Sequence, residues 1–407
     1  MDVSILLPAG ASGDWASWVA RAVSLVAGVW LLWSALRSAV VVMLVPRPTY
    51  PPLVRLVAHT TRAIFDVFAR RCRTYAELDR VLAVQGPVTV LFFLGMFLGI
   101  FVASFGCIFY GIGGLSFSHA LARAGSSMTT LGFDEAHGLW GMAVMIVAAF
   151  MGSTVISVFI GFLLTLYAAY TFRETGITEL ALLTGEPPWG PEMLVRAIRT
   201  GGGLGEPRDL EKWITWMCNL RVSHYIYSIL NHFRSPLPRR HWVLSILAIL
   251  DAAAIRIAAG QGAPDLALVR IIAEGSETLQ MLRRSQMERL ASIHGSEPLG
   301  TWDIEAEILS PDHHGKPTPD PGITREEWDW AMHFLESNGF PLKSARDEAW
   351  QTFCWLRVNY HNAAYYLASE LCAVPAPWSG PRPKMHREAA VTLWPELGGR
   401  HPAGPRA

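Results

Sequence analysis

Three apolar runs constrain the fold of this chain more than any other feature. They cover residues 22–45, 88–109 and 139–171, and Arg37 is the only charged residue in any of them. Each run is at least as long as the roughly 20 residues of α-helix that cross the hydrocarbon core of a bilayer. Because a backbone in lipid must satisfy its own hydrogen bonds, such runs favour helices. The sequence therefore predicts an integral membrane protein with three transmembrane helices.

Composition supports a membrane protein that also carries a large soluble part. Of 407 residues, 51% are hydrophobic and 17% are charged, and the formal net charge is zero, which offers no basis for nucleic-acid binding. The five cysteines form no C-x-x-C pair, which argues against a disulfide scaffold and a cysteine zinc site. The N-terminus lacks a basic segment, and no small-residue cleavage site follows the first run. We therefore expect a retained span and not a signal peptide.

The distribution of arginine predicts the orientation of the spans. Seven arginines lie between the first two runs: Arg47, Arg55, Arg62, Arg70, Arg71, Arg73 and Arg80. The positive-inside rule places this basic linker in the cytoplasm. The N-terminus and the connection between the second and third runs are then outside, and everything after residue 171 is cytoplasmic. The expected location is the cell (inner) membrane, crossed several times.

The linker itself, residues 47–87, has the pattern of a basic amphipathic helix. Apolar residues recur at helical spacing between the arginines. Such a helix beside a span is typical of a segment that lies on the anionic inner leaflet, here through residues 50–86. The alternative is that the helix packs on the cytoplasmic domain, and the pattern alone does not separate the two.

The connection between the second and third runs contains a short helix followed by an unusual loop. Ser116 or Ser118 is suited to begin the helix as its N-cap, and the helix would extend about ten residues to Ser127. The segment that follows reads Thr129-Thr-Leu-Gly-Phe133. It combines threonine hydroxyls with a glycine that permits unusual dihedrals. The short helix would point the negative end of its dipole at this loop. A loop of this kind can present backbone carbonyls to a cation.

Span, short helix, this string and a second span together resemble the pore-loop cation channels, potassium channels in particular. The filter of that family reads Thr-Thr-Val-Gly-Tyr-Gly-Asp, and Thr129, Thr130, Leu131, Gly132 and Phe133 match it in register. The resemblance covers residues 88–170. It implies a re-entrant pore loop, a homotetramer, and stacked rings of carbonyl oxygens around potassium or another monovalent cation. It implies no cofactor and no metal besides the permeating cation.

The match ends at Asp134, where the family has its second glycine. Asp134 could take the positive φ of that glycine, or it could fill the family's terminal aspartate position after a one-residue deletion. In both cases the outermost ion site and strict potassium selectivity are affected. Together with Glu135, Asp134 would surround the pore mouth with carboxylates and concentrate cations there.

Three further residues of the pore module have expected roles. Arg123 lies in the short helix, and we expect it to support the filter through an ion pair with Asp134 or Glu135, the alternative being simple exposure to solvent. Gly152 occupies the place of the family's gating glycine, so it is either a hinge or a packing residue. The glycines of the second run are expected to serve helix packing: Gly95, Gly99 and Gly106.

Residues 172–374 are predicted to form an all-α cytoplasmic domain. Helical periodicity covers 191–199, 209–233, 242–259, 265–292, 325–338 and 346–373. The segment 242–259 resembles a fourth span, but its two charged residues, Asp251 and Arg256, and its short length favour a buried helix. Residues 298–322 read as a long loop and 375–407 as a flexible Pro/Gly-rich tail. The glycines of 201–205 do not form a dinucleotide fingerprint, and Asp312-His313-His314 reads as a solvated turn. The domain's ligand or partner is not indicated.

The fold class predicted from sequence is therefore all-α. An N-terminal span (1–46), a basic linker (47–87) and a pore module (88–171) precede the cytoplasmic helices and tail. The favoured function is a potassium-channel-like tetramer that passes monovalent cations through a filter at 129–134. The alternative is a non-conducting, membrane-anchored oligomeric scaffold or sensor with the same pore fold. No catalytic motif is present in the sequence, so we do not expect an enzyme.

Overall fold

The computed structural model describes residues 11–43, 45, 51–113, 115–134, 138–200, 207–261, 265–294 and 317–393. All regular elements in these ranges are helices, and none of these residues lies in a strand. The helices are α1 (Ala11–Met43), α2 (Pro52–Ala69), α3 (Tyr75–Ala83), α4 (Gln85–Ile112), α5 (Phe117–Met128), α6 (Leu139–Thr184), α7 (Gly190–Thr200), α8 (Pro207–Ile226), a 3-10 helix (Ser228–His232), α9 (Trp242–Ala259), α10 (Leu266–His294), α11 (Arg325–Ser337), α12 (Arg346–Arg357) and α13 (His361–Glu370).

Four helical segments are long and apolar enough to cross a membrane. They are Trp15–Met43, Tyr75–Ile112, Leu139–Thr184 and Trp242–Ala259. The last differs from the others, because 89% of its most apolar 18-residue stretch is buried inside the protein. The corresponding share is 22–39% for the other three. The expectation that residues 242–259 form a buried helix is confirmed. The bounds of α9 also coincide with the predicted ones.

The described residues fall into two compact units, one from 1–60 and 88–165, the other from 61–87 and 166–407. In the first unit, α1 packs closely on α4 through glycines. A Cβ added at Gly28 would lie 2.7 Å from the carbonyl oxygen of Ser104, and one at Gly111 would lie 2.6 Å from Cβ of Leu25. Glycine permits such an approach of two apolar helices. The predicted packing role of Gly106 is confirmed by its contact with Leu121 of α5.

Two other glycines of α4 have no close neighbour in the described part of the chain. Gly95 and Gly99 have no atom within 4 Å of an added Cβ among the described residues. The contacts among the described residues therefore do not support the prediction that these two glycines serve helix packing. The reason is geometric, since they lie on a part of α4 that no neighbouring helix of the first unit covers.

The second unit is built around α9. All its residues except Arg256 and Ile257 are buried. Close approaches at Gly190 to α9 and at Leu250 to Gly275 bring α7 and α10 against it. The charge of Asp251 is accommodated by a buried ion pair, because Nε of Arg357 lies 2.9 Å from Oδ1. The hydroxyl of Tyr360 donates a second hydrogen bond to the same oxygen, at 2.8 Å. A buried carboxylate is tolerated when it is paired in this way.

Two predicted helices are each interrupted. The helix expected over 209–233 ends at Ile226 and is followed by the 3-10 helix, and the one expected over 346–373 is split between Arg357 and His361. At the first break, the buried guanidinium of Arg173 donates to the carbonyl oxygens of Leu230 and Phe233 at 2.9 and 2.8 Å. At the second, Arg357 and Tyr360 both reach Asp251. Tertiary hydrogen bonds here override helix propensity.

The beginning of the predicted tail is packed against the rest of the second unit. Trp378 and Arg382 are 3% and 4% exposed. Nε of Arg382 donates to the carbonyl oxygen of Ala373 at 2.9 Å, and Nη1 donates to that of Ser379 at 2.8 Å. The expected flexibility of residues 375–407 stays a prediction, but Pro and Gly content does not reveal that an indole and a guanidinium anchor the first part of this segment. Residues 394–407 lie outside the described residues.

The part of the basic linker after residue 60 packs on the second unit. Thr74 and Glu77 form a reciprocal capping box at the start of α3. Nη2 of Arg62 lies 2.8 Å from Oε2 of Glu370, and Nη1 of Arg234 donates to the hydroxyl of Tyr75 at 3.2 Å. Packing on the helical domain, one of the two alternatives for the linker, is therefore present. A second face of α2 remains exposed and apolar: Leu56, Ile64, Val67 and Phe68. The predicted contact of this face with lipid stays a prediction.

Candidate ion-filter loop

The short helix α5 precedes the loop and begins where the sequence predicts. Of the two candidate caps, Ser116 is the N-cap, and its Oγ accepts a hydrogen bond from the N–H of His119 at 3.4 Å. One face, which includes Ala120, Ala124 and Met128, is buried at intervals of four residues. The helix ends after Met128, because Thr130 adopts a left-handed conformation that an α-helix cannot contain.

The sign of the backbone dihedral φ alternates along the loop. Thr129 has a φ of −87°, Thr130 has +56° and Gly132 has +70°. Leu131 and Phe133 are not at positive φ. Positive and negative φ values therefore alternate along residues 129–133.

Three N–H groups of the loop donate hydrogen bonds to the last turn of α5. The N–H of Thr130 donates to the carbonyl oxygen of Ser127 at 3.1 Å, and that of Leu131 donates to Ser126 at 3.0 Å. The N–H of Phe133 donates to Oγ of Ser126, also at 3.0 Å. Within the described parts of the chain, no donor reaches the carbonyl oxygens of Thr130, Leu131 or Gly132.

The left-handed positions carry different energetic costs. Gly132 adopts a positive φ readily, as its expected role in the loop requires. Thr130 is β-branched, so its left-handed conformation costs about 1–2 kcal/mol. The hydroxyl of Thr130 donates to the carbonyl oxygen of Thr129 at 2.7 Å. Strained residues of this kind persist where the surrounding structure demands them, which is common at functional sites. The strain at Thr130 was not expected from the sequence.

The ion pair expected behind the loop is present. Nη2 of Arg123 lies 2.9 Å from Oδ1 of Asp134, and the two side chains are 12% and 24% exposed. Nε of Arg123 is buried and has no hydrogen-bond acceptor among the described residues. Asp134 is not at positive φ, so it does not adopt the backbone conformation of the glycine that it replaces. Glu135, the other predicted partner, lies outside the described residues.

Gly152 brings α6 against the C-terminal end of α5. A Cβ at this position would lie 2.2 Å from the carbonyl oxygen of Met128. The packing role, one of the two alternatives for Gly152, is therefore present. The helix α6 continues without interruption from Leu139 to Thr184. The hinge role stays a prediction.

The side chains of the loop point away from the protein. Leu131 and Phe133 are 70% and 66% exposed. Large apolar side chains that are this exposed at neighbouring positions usually indicate a surface that something else covers.

No protein-family model, curated protein or solved structure matches this chain. The functional argument therefore depends on the geometry of the loop.

Proposed function

We propose that this protein is a subunit of a membrane channel that passes potassium or other monovalent cations. The single observation that carries the proposal is a run of three carbonyl oxygens in the loop, those of Thr130, Leu131 and Gly132, that accept no hydrogen bond among the described residues. The sign of φ alternates along the same residues. Cation filters replace the hydration shell of an ion with carbonyl oxygens in this manner.

Ion coordination by this loop requires several copies of the chain. A single loop can surround only part of an ion, so a closed ring of carbonyl oxygens needs loops from other copies. The resemblance to potassium channels favours four copies. The exposure of Leu131 and Phe133 supports assembly, because a neighbouring copy would cover both side chains. The exposed tryptophans of α1 suit the interface of a bilayer: Trp15, Trp18, Trp30 and Trp33.

The proposed topology has three spans, formed by α1, α4 and the first part of α6. The loop after α5 re-enters the membrane from outside, and the second unit is the cytoplasmic domain. The arginines of the linker support this orientation. Cysteines introduced singly at Ser12 and at Asp347, which is exposed, test it with an impermeant thiol reagent on intact cells, with the parent chain as background. Labelling at position 12 but not at position 347 is expected. The opposite result would show that the N-terminus is inside and the second unit outside.

Conduction is tested by recording currents from the purified protein in planar bilayers. Gly132→Ala introduces no steric clash, since nothing lies within 4 Å of the added methyl, but it places a Cβ at a φ of +70°. We expect this variant to lose current while it still assembles. The matched control is Gly161→Ala, which also has open space but lies in the helix α6.

Full selective current in Gly132→Ala would exclude this loop as the filter. No current from the parent protein at any voltage, pH or calcium concentration would favour the non-conducting scaffold instead. The oligomeric state, measured by light scattering in detergent, distinguishes a scaffold of several copies from a protein that failed to assemble.

A further inference from the structure

A cavity in the second unit lies between the basic linker and the helical domain. It has a volume of about 420 Å³ and is lined by residues of α2 and α3, by Gln85 at the start of α4, and by residues 231, 232, 234, 370–372, 383 and 384. Small-molecule sites generally enclose about 300–1,000 Å³. The cavity can therefore hold a ligand of modest size, and it is separate from the proposed filter.

Positive charge predominates in the lining. Four permanent cations line the cavity, Arg62, Arg70, Arg234 and Lys384, against two carboxylates. The carboxylates are Asp66 and Glu370. An excess of cations in a concave site with a low-dielectric wall attracts anions.

The carboxylates neutralise only part of this cluster. Glu370 accepts hydrogen bonds from both Arg62 and Lys384. Burial alone would raise the pKa of Glu370, but these two cations outweigh it and hold the pKa below its usual value. Glu370 is thus ionised at neutral pH, and two cations share its single charge. Asp66 lies 3.9 Å from Nε of Arg62, too far for a strong hydrogen bond.

The remaining cations differ in how many contacts they make with the protein. Arg234 is held rigidly, since Nη2 donates to the carbonyl oxygen of Cys372 at 2.9 Å and Nη1 lies 3.5 Å from Asp79. Arg70 is exposed at the rim and forms no side-chain ion pair within the described part of the chain. One guanidinium is therefore preorganised, and another is available to close on a ligand.

A neutral group in the lining also lacks a partner. Asn231 is 7% exposed and lines the cavity. Its Oδ1 is buried and accepts no hydrogen bond from any described residue. A buried acceptor without a donor costs about 1–3 kcal/mol. A ligand hydroxyl would supply the missing donor.

We propose that this cavity binds a phosphate ester of a polyhydroxylated alcohol. The phosphate oxygens would accept hydrogen bonds from Arg62, Arg70 and Lys384, and a hydroxyl would donate to Asn231. A phosphate offers several acceptor oxygens to converging cations, as this arrangement requires. Two sources share this chemistry, a soluble sugar or glycerol phosphate and the headgroup of an anionic phospholipid. Binding at this site would give the basic linker a ligand-dependent hold on the helical domain.

The test measures heats of binding to the detergent-solubilised full-length protein. The soluble probe is glycerol 3-phosphate, and the lipid probe is dioctanoyl phosphatidylglycerol, with dioctanoyl phosphatidylcholine as a lipid that lacks both net charge and hydroxyls. Arg70→Gln removes a lining cation. Its matched control is Arg71→Gln, the next residue, which is also exposed but does not line the cavity.

We expect saturable binding of at least one anionic probe. Arg70→Gln should weaken it roughly tenfold, as the loss of one hydrogen bond to a charged group predicts. Arg71→Gln should change the affinity less than twofold. Binding of glycerol 3-phosphate identifies a soluble ligand, and binding of phosphatidylglycerol alone identifies a lipid. Absence of saturable binding for both probes, or an equal loss in the two variants, would overturn the proposal.

Discussion

The guanidinium of Arg123 lies 2.9 Å from the carboxylate of Asp134, and this pair connects α5 to the outer end of the candidate filter. The two residues are separated by the whole loop, so the pair closes it. Most of each side chain is buried, which strengthens the attraction relative to an exposed pair. Nε of Arg123 has no acceptor among the described residues, so an acceptor from a neighbouring copy would complete its hydrogen bonds.

Removing either partner of this pair should destabilise the protein more than removing both. We expect Arg123→Gln and Asp134→Asn each to reduce the free energy of unfolding, because each leaves a largely buried charge without its partner. The double variant should recover part of the loss, with a coupling of about 0.5–3 kcal/mol. Denaturant unfolding of the four proteins measures the cycle. Strictly additive effects would show that the pair does not brace the loop.

Gly152 permits a contact that any larger residue would block. Gly152→Ala places a methyl 2.2 Å from the carbonyl oxygen of Met128 and should cost about 1–3 kcal/mol as the helices α5 and α6 move apart. Gly161→Ala in the same helix meets nothing within 4 Å and should stabilise it by about 0.5–1 kcal/mol. Thermal unfolding in detergent compares the two. If both substitutions behave alike, close packing is not the role of Gly152, and the hinge becomes the better interpretation.

Ion selectivity should reflect the missing second glycine. The loop retains Thr129 to Phe133 but has Asp134 next, so an outer ion site should be weakened. We expect the channel to pass potassium and rubidium and to discriminate against sodium less sharply than a filter with both glycines. Asp134→Gly should sharpen that discrimination. Because this substitution leaves Arg123 without its partner, the same change is also tested in an Arg123→Gln background. Reversal potentials under bi-ionic potassium/sodium conditions measure it. A strongly selective parent that neither substitution changes would contradict the idea.

The periodicity of apolar residues predicted where the helices lie, and capping residues predicted some of the positions at which they begin. The apolar runs became α1, α4 and the first part of α6, and the cap at Ser116 followed from its hydroxyl. Gly132 was expected at an unusual dihedral for the same local reason. An ion pair of Arg123 with Asp134 or Glu135 was expected from the cost of an unpaired charge in a short helix, and the structure shows the pair with Asp134.

Features that depend on distant residues could not be read in the same way. Thr130 is left-handed because hydrogen bonds to the end of α5 hold the loop around it, and no propensity of threonine predicts that conformation. The break after Arg357 depends on Asp251, which is 106 residues away in the chain. The burial of Trp378 likewise depends on partners from α11 and α12, Trp328 and Phe353. Sequence patterns do not reveal contacts between residues that are far apart in the chain. The cavity beside α2 was not predicted for the same reason.

The second unit should lose stability in mild acid because of buried histidine. His361 is 4% exposed, and burial, helped by the nearby guanidinium of Arg357, lowers its pKa to about 4. Burial also lowers the pKa values of His224 and His241, so their contributions have the same sign. Between the lowered pKa and the usual value near 6.5, the unfolded chain binds more protons than the folded one. Stability therefore rises with pH through this window and falls as the solution is acidified.

The expected contribution of His361 is a loss of about 1–2 kcal/mol between pH 7 and pH 5. His361→Gln should remove that share of the pH dependence, whatever it does to stability at pH 7, since glutamine does not titrate. His333→Gln is the matched control, because His333 is exposed on α11. Unfolding free energies at pH 7, 6 and 5 give the slope for each protein. An unchanged slope in His361→Gln, or an equal reduction in both variants, would show that the environment of His361 does not disfavour its protonation.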